Sequence, residues 1–506
     1  MGTPTDGKLA DRSGEQWHHA RLIPTYGIRS QEEQEKRATS CLLAVMHGVP
    51  EFAHALLKDL GASKAPNVET FAEVRFKDAD GKTVIPDGAI RCERGSKLWT
   101  CLVEVKTGSA LLKDEQVGSY LDLARDHEFD GVLTISNQIT HDVSESPVCV
   151  DGRKLRRAKL WHLSWWRILT EAVVQSRYRG VSDPDQAWIL RELIHYLSSE
   201  VSGANGFEDM GEHWVAVRKA AHEQTLRQGD PPVRHVAERW EQFTQYLCLS
   251  LAQELGRDVV APRPRKQTTS GRLDEVSKAL AADGSLAAIV RIPDAVGDMK
   301  IRADLRSRQT SVSVEVVAPG EGRPKSRISW LLRQLGEASP DLRVEVWYPR
   351  ARESVATTLQ HAREQPASLL CPADGKREPR SFELTLTRPM GQKRGRAEGS
   401  FVRETRAQTV SFYRDLVQNL KAWQAPAPQL RPQPQLIDTP PISPPDLLPL
   451  LPADHMLPRP VAEIPLDTVI SVEGDVPVQP ERSTEGPIQD SSELSPGDLA
   501  RHSDLD

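Results

Sequence analysis

The spacing of hydrophobic and polar residues predicts that regular structure in this chain begins near Ser30. Between residues 30 and 61, apolar side chains recur every three or four positions, as on one face of an amphipathic helix. Ser30 is a suitable N-cap for this helix, because its hydroxyl can accept a hydrogen bond from a free amide of the first turn. Pro50 predicts a division into two helices, since proline lacks an amide hydrogen and clashes with the preceding turn.

Short β-like runs follow, and three of them are separated by turn residues in a way that predicts an antiparallel meander. These three runs are residues 68–76, 83–93 and 98–108. The pattern then predicts a helix, a buried strand, a strand that continues into a helix, and a helix capped by Asp183, which are residues 113–129, 131–137, 160–174 and 183–199. The order α, β, β, β, α, β, α, α indicates a mixed α/β domain.

The pattern along the whole chain predicts five segments. They are a disordered N-terminus of residues 1–20, an α/β domain of residues 21–204, a helical connector of residues 205–256, a second α/β domain of residues 257–423 and a disordered tail of residues 424–506. In the second domain, a strand, a helix and a strand succeed each other as in a β-α-β element, at residues 310–319, 326–338 and 343–350.

The net charge of −6 conceals a strong segregation of charge between two of these segments. The tail holds 4 basic and 14 acidic side chains and 17 of the 37 prolines, whereas residues 257–423 hold 30 basic and 20 acidic side chains. A segment so rich in proline and charge is typical of disorder. We favour a solubilising tail; the alternatives are a tether that carries motifs for a protein partner, or an acidic competitor for a basic groove.

The sequence also bears on the compartment of the protein. No apolar run is long enough to cross a membrane, the first residues lack the apolar stretch of a secretory signal, and the six cysteines form no C-x-x-C pair. We therefore expect a cytoplasmic protein of a reducing compartment, without contact to a membrane.

The most informative candidate chemistry is a group formed by Asp87, Glu104 and Lys106. Asp87 lies in one β run, and Glu104 and Lys106 are two positions apart in the next, where alternate residues share a face. Two carboxylates that converge in this way provide the hard oxygen ligands that suit Mg²⁺ or Mn²⁺. Such a metal stabilises charge on a phosphoryl oxygen, and a lysine beside it can orient the attacking water. The alternative explanation is an ordinary ion pair on the surface of a sheet.

Together with the helix that follows, these residues resemble the PD-(D/E)xK superfamily of nucleases, also called restriction-endonuclease-like. The residues that carry the resemblance are Pro86, Asp87, Gly88, Glu104, Val105, Lys106, Gln116 and Tyr120. The Q-x-x-x-Y spacing of the last two is similar to that of the RecB-like branch. The resemblance covers residues 30–170 and implies a mixed sheet flanked by helices.

The resemblance also implies roles for individual residues. Asp87, Glu104 and the backbone carbonyl of Val105 would bind Mg²⁺ or Mn²⁺, and Lys106 would act on the attacking water. Many members carry a further acid on the first helix, for which we select Glu35. Its rivals in the same helix are Glu32 and Glu33.

By the same resemblance, Gln116 and Tyr120 would support the site and contact the nucleic-acid backbone. In the second domain, a helix with Lys325, Arg327 and Arg333 predicts binding to phosphates, with a solvated face over an apolar core as the alternative. Further basic clusters are Arg263, Arg265, Lys266, Lys393, Arg394 and Arg396. The sequence thus predicts a metal-dependent nuclease, with DNA as the favoured substrate, in repair, restriction or defence. The alternative is a catalytically inactive, nuclease-like scaffold or nucleic-acid-binding interaction protein.

Overall fold

A computed structural model describes residues 20–62, 67–78, 81–372, 375–395 and 397–425 of the chain. Nearly all of the two segments predicted to be disordered, residues 1–20 and 424–506, lie outside these described residues. The described residues belong to one compact unit. Within it the chain forms a mixed α/β structure with two main sheets and helices packed against both.

The first half of the chain follows the predicted order of elements, with a short extra hairpin. In chain order, its helices and strands are α1 (Gln31–Gly48), α2 (Pro50–Leu57), β1 (Asn67–Ala72), β2 (Phe76–Lys77), β3 (Thr83–Val84), β4 (Gly88–Arg94), β5 (Lys97–Val105), α3 (Asp114–Asp126), β6 (Gly131–Ser136), β7 (Lys159–Ser164), α4 (Trp165–Val174) and α5 (Pro184–Ser198). The predicted break at Pro50 is confirmed, because α1 ends at Gly48 and α2 begins with the proline. Ser30 caps α1 by accepting a hydrogen bond from the amide of Glu33.

The first sheet is mixed, with the strand order β1-β4-β5-β6-β7. The pairs β1–β4 and β4–β5 are antiparallel, so the predicted meander is confirmed. The pairs β5–β6 and β6–β7 are parallel. A parallel neighbour requires a crossover connection, and α3 provides it between β5 and β6. Strands β2 and β3 form a separate two-stranded hairpin between β1 and β4.

Helices cover both faces of this sheet. Leu102 of β5 belongs to a buried cluster with Val117 and Leu121 of α3, on one face. Its neighbour Val103 belongs to a second cluster on the opposite face, with residues of α1, α2, α4 and α5 such as Leu42. Because alternate residues of a strand point to opposite faces, this division follows directly from the apolar run in β5. The sheet is therefore a rigid platform on which the ends of β4 and β5 can position side chains.

The second half of the chain adds a sheet of six strands. Its elements are α6 (Trp214–His222), α7 (Pro231–Leu255), α8 (Thr269–Asp283), β8 (Ser285–Val290), β9 (Met299–Asp304), β10 (Gln309–Val317), α9 (Pro324–Gln334), β11 (Arg343–Trp347), β12 (Val355–Thr358), α10 (Leu359–Glu364), β13 (Ser381–Pro389) and α11 (Phe401–Asp415). The strand order is β12-β11-β13-β10-β9-β8, and every neighbouring pair is antiparallel. The predicted β-α-β element is present as β10-α9-β11, but β13 lies between its two strands.

Helix α7 joins the two halves of the structure. It packs against α4 of the first half and against β8, α8 and α11 of the second. Its Trp240 and Phe243 are fully buried in the larger hydrophobic cluster. The segment predicted as a connector therefore contributes to the core of the second half.

A helix that crosses a membrane must be both long and predominantly apolar. In the described ranges, no single helix meets both requirements. The segments Gln31–Gly48 and Pro50–Leu60 meet them only as a pair, and this pair is bent by 109°.

Candidate active site

The ends of β4 and β5 bring Asp87 and Glu104 together. Asp87 lies just before β4, and Gly88 is paired with Val103 of β5, so Asp87 lies opposite Glu104. Its Oδ2 accepts a hydrogen bond of 2.7 Å from the amide of Val105, which fixes the carboxylate against the end of β5. The predicted convergence of these two carboxylates rests on the antiparallel register of two adjacent strands.

The glycine after Asp87 allows the first helix to approach this strand. A Cβ atom on Gly88 would lie 2.6 Å from Cδ1 of Leu43 in α1 and 2.9 Å from the carbonyl oxygen of Phe71. The second contact is with backbone that cannot move easily, so a side chain would push α1 and β1 away. Close packing of α1 and β1 against this strand therefore requires the glycine.

The ammonium group of Lys106 is the centre of the site. Its Nζ donates to Oε1 of Glu104 at 2.7 Å and to the carbonyl oxygen of Val105 at 3.0 Å. It also lies 3.5 Å from Oε2 of Glu35, which projects from α1. One cation therefore joins the acid selected on the first helix with the two β5 groups that the sequence predicted.

The three acids of the first turns of α1 have different surroundings. Glu35 contacts Lys106 and is 19% exposed. Glu32 instead pairs with Lys36 at 3.1 Å, and Glu33 accepts a hydrogen bond from the amide of Arg29. Of the three, Glu35 is the acid that contacts Lys106, and it is the one selected from the sequence.

Burial dominates the electrostatics of Glu104. Its side chain is 1% exposed, and its Oε2 atom has no hydrogen-bond partner. Burial and then the charge of Asp87 raise the pKa of Glu104 to about 7, although the hydrogen bond and charge of Lys106 act in the opposite direction. Burial lowers the pKa of Lys106, but Glu104, Glu35 and Asp87 together outweigh that effect and raise it, so the lysine stays charged.

Gln116 and Tyr120 extend the site from α3. Nε2 of Gln116 donates to the hydroxyl of Tyr120 at 3.0 Å, as their spacing of four residues on one helix face predicts. The tyrosine hydroxyl donates in turn to the carbonyl oxygen of Ile85, just before Asp87, at 3.4 Å. Burial and the charge of Glu104 raise the pKa of Tyr120, so the hydroxyl remains a proton donor beside the carboxylates.

Several residues that sequence reasoning missed hold the backbone after β5. The indole nitrogen of Trp165 donates to the carbonyl oxygen of Lys106 at 2.9 Å. From α1, Gln31 donates to the carbonyl oxygen of Thr107 at 3.1 Å, and Gln34 accepts from the Thr107 hydroxyl at 3.0 Å. No local sequence pattern predicts these bonds, because each joins residues far apart in the sequence. They hold the segment that carries the Lys106 side chain.

The donor atoms of this site have the chemistry that a small divalent cation requires. Asp87, Glu104 and the carbonyl of Val105 are hard oxygen donors, and the unpartnered Oε2 of Glu104 is an acceptor that a cation would satisfy. In the part of the chain that the structure describes, no group of three or more His, Cys, Asp or Glu side chains could hold a metal ion. Asp87 and Glu104 thus match a cation in the type of their donor atoms but not in number, so a cation held here would take its other ligands from carbonyl oxygen or water.

Replacing Glu104 by glutamine is expected to change how stability depends on pH in buffer without metal. The pKa of Glu104 rises from 4.5 to about 7 on folding, so the folded state retains a proton that the unfolded chain releases between these values. The free energy of unfolding should therefore fall through this window by up to about 3 kcal/mol, and stay low above it. Glutamine has no such proton, so the fall should be absent from the variant.

Denaturant titrations in EDTA, from about pH 5 to about pH 8, measure this difference. Loss of the ion pair with Lys106 shifts the whole curve of the variant, so the slope is the informative quantity. Glu115→Gln, which removes an exposed acid from α3, is the matched control and should keep the slope of the wild type. Parallel curves for wild type and Glu104→Gln would contradict the expectation.

The predicted phosphate-binding residues of the second half differ in exposure. Lys325 and Arg333 are exposed on α9. Arg327 is buried, donates to the carbonyl oxygens of Gly320 and Gly322, and forms an ion pair of 2.9 Å with Glu378. Its guanidinium is thus used to hold the preceding loop, which leaves Lys325 and Arg333 as the two members of this set that face solvent.

Comparison of the chain with protein-family models, with curated proteins and with solved structures found no match in any of the three. No relative therefore supplies a role for the residues around Lys106. Their function has to be inferred from the geometry and chemistry described above.

Proposed function

We propose that the protein is a metal-dependent phosphodiesterase that hydrolyses nucleic acid, with DNA as its substrate. The observation that carries the proposal is the group formed by Glu104 and Glu35, which both contact the ammonium group of Lys106, and Asp87, which is hydrogen-bonded to the amide of Val105 between Glu104 and Lys106. A surface ion pair would not require the burial of Glu104 or leave one of its oxygens without a partner. Perturbed, buried carboxylates of this kind are typical of functional sites.

Each side chain has a distinct task in this proposal. A divalent cation, when bound, supplies a Lewis acid at the scissile phosphate. Asp87 and Glu104 would hold it, and Glu104 would have to be ionised to do so, which its pKa of about 7 permits near neutral pH. Lys106 orients the attacking water and offsets the negative charge that develops on the phosphate. Glu35 keeps the lysine in position. The Tyr120 hydroxyl donates to the carbonyl oxygen of Ile85, close to the carboxylates.

The topology of the first sheet also supports the proposal. The resemblance noted in the sequence implies a restriction-endonuclease-like fold, with a mixed sheet flanked by helices. The order α1, β1, β4, β5, α3, β6, with three antiparallel strands and a parallel fourth, agrees with that expectation. We therefore extend the proposal to the fold class as well as the chemistry.

The 506-residue chain is expected to cleave nucleic acid only in the presence of Mg²⁺ or Mn²⁺. Labelled duplex DNA, single-stranded DNA and single-stranded RNA, each incubated with metal or with EDTA, give the test and the substrate class together. The same metals should raise the melting temperature more at about pH 8 than at about pH 6, because binding must displace the proton of Glu104. At acidic pH the carboxyl group keeps that proton, and the proton competes with the metal for the carboxylate oxygens.

Two negative results together would contradict the proposal. They are the absence of metal-dependent cleavage of all three substrates and a melting temperature that metal leaves unchanged at both pH values. The nuclease-like scaffold would then be the better description of this domain. Cleavage that EDTA does not suppress would exclude the metal-dependent mechanism but not the substrate class.

A further inference from the structure

Three arginines from distant parts of the chain meet beside one end of strands β9, β10 and β13 of the second sheet. Arg218 lies on α6, Arg308 in the turn between β9 and β10, and Arg394 in the loop after β13. The amide of Met390 donates to the carbonyl oxygen of Arg308 at 2.8 Å, which places the start of that loop beside the turn. Arg218 then donates to the carbonyl oxygen of Gln392 at 3.5 Å.

The loop after β13 also contacts the residues just before α6. All three arginines therefore belong to one group. Nη2 of Arg394 donates to the carbonyl oxygen of Glu212 at 3.4 Å. Backbone carbonyls therefore orient two of the three guanidinium groups, and each of these bonds leaves further N–H donors of the same group available. We call Arg218, Arg308 and Arg394 the arginine cluster.

The charge of the arginine cluster is not balanced by acids. Among the described residues, none of the three guanidinium groups forms an ion pair with a carboxylate. Burial and then the charges of Arg308 and Arg394 lower the pKa of Arg218, so both neighbours repel its charged form. Other arginines of the same half are paired, such as Arg291, which forms an ion pair of 2.7 Å with Asp298. Bringing like charges together without a counter-charge is unfavourable unless an anion binds between them.

The backbone of Arg308 adds a second unfavourable contribution. Its φ of 56° is in the left-handed region, where a residue with a side chain is less stable than glycine by about 1 kcal/mol. Glycine would fit the same turn without this strain. Replacing Arg308 by glycine should therefore remove its charge from the cluster without destabilising the turn.

We propose that the arginine cluster binds the phosphodiester backbone of nucleic acid; the choice of this partner rests on the function proposed above. Guanidinium groups match phosphate in geometry and can donate two parallel hydrogen bonds to it. Three neighbouring cations require more than one negative charge, and a phosphodiester chain offers several at regular intervals. Arg308 and Arg394 are exposed and accessible to such a chain.

Arg308→Gly tests the cluster, and Arg350→Gly is its matched control. Arg350 is also exposed and has a φ of 59°, but it lies in the β11–β12 connection, outside the cluster. Both variants lose one exposed cation and relieve a left-handed backbone, so neither is expected to unfold. Binding of a fluorescent duplex by the full chain is measured by anisotropy in EDTA, where the proposed cleavage does not occur.

Arg308→Gly is expected to weaken binding about fivefold at low salt and to lower the slope of log K against log salt by about 0.9, as for one lost phosphate contact. Arg350→Gly should bind like the wild type. Arg218→Gln with Arg394→Gln should lower the slope further. The inference is overturned if Arg308→Gly matches the wild type in affinity and slope, if both glycine variants lose affinity equally, or if the wild type binds no nucleic acid at low salt.

The outcome for the cluster can be separated from that for the active site. Wild-type protein that cleaves, combined with normal binding by Arg308→Gly, would overturn the role of the cluster alone. Wild-type protein that binds but does not cleave, combined with weakened binding by Arg308→Gly, would overturn the proposed catalysis and support the cluster.

Discussion

Asp87→Asn is expected to reduce metal-dependent cleavage by about a thousandfold or more, because it removes one of the two carboxylates proposed to hold the cation. The change preserves the size of the side chain. The asparagine oxygen can still accept the 2.7 Å hydrogen bond from the amide of Val105, so the end of β5 should keep its position. The loss of activity should therefore be accompanied by little loss of stability.

Single-turnover cleavage rates at saturating Mn²⁺, together with melting temperatures, measure the two effects separately. Asp258→Asn, which neutralises an exposed acid in the second half of the chain, is the matched control and should cleave like the wild type. A second readout is electrostatic. The charge of Asp87 helps to raise the pKa of Glu104, so the asparagine variant should titrate Glu104 at lower pH. Full activity in Asp87→Asn would remove this residue from the proposed mechanism.

Trp240→Ala is expected to lower the free energy of unfolding by about 3–5 kcal/mol, the usual range for truncating a buried tryptophan. The side chain of Trp240 is fully buried in the larger hydrophobic cluster. Its ring packs at 5.7 Å from that of Phe243 and at 6.3 Å from that of Phe401, and its indole nitrogen donates to the carbonyl oxygen of Ala287. The truncation leaves a cavity between helix and sheet and a carbonyl without this donor.

Urea denaturation followed by far-ultraviolet circular dichroism gives the comparison. Trp188→Ala is the control, since this tryptophan of α5 is 46% exposed and its removal should change stability by no more than about 0.5 kcal/mol. A loss below about 1 kcal/mol for Trp240→Ala would show that α7 does not contribute to the core in the way that its contacts indicate.

Local patterns predicted the individual elements of the first half well, because each is encoded by neighbouring residues. Pro50 divides α1 from α2, and Asp183 caps α5 through hydrogen bonds to two amides of its first turn. The meander followed from short β runs between turn residues. The pairing of the second sheet was not predictable in this way. β13 lies between β10 and β11. The periodicity of a strand predicts which residues are buried but not which distant strand it pairs with.

The candidate site shows the same division between local and distant information. The two-residue spacing of Glu104 and Lys106 predicted their proximity, and the contact between their side chains is 2.7 Å. The burial of Glu104 depends on α3 and the neighbouring strands, so a short sequence motif cannot predict this burial. Arg327 illustrates the opposite error of interpretation. Its place in a basic helix suggested a solvent-facing cation, but the loop before α9 folds over it.

The shared packing of α7 has a practical consequence for anyone who divides this chain into fragments. Trp166 of α4 packs on Tyr246 of α7 with ring centroids 5.0 Å apart, and Gln253 donates to the hydroxyl of Thr170 at 2.8 Å. A fragment that ends before α7 would expose this surface of α4 to solvent as an apolar patch. Such a fragment should be prone to self-association, even if the residues around Lys106 keep their arrangement. Expression boundaries are better placed after α11, where both sides of α7 remain covered.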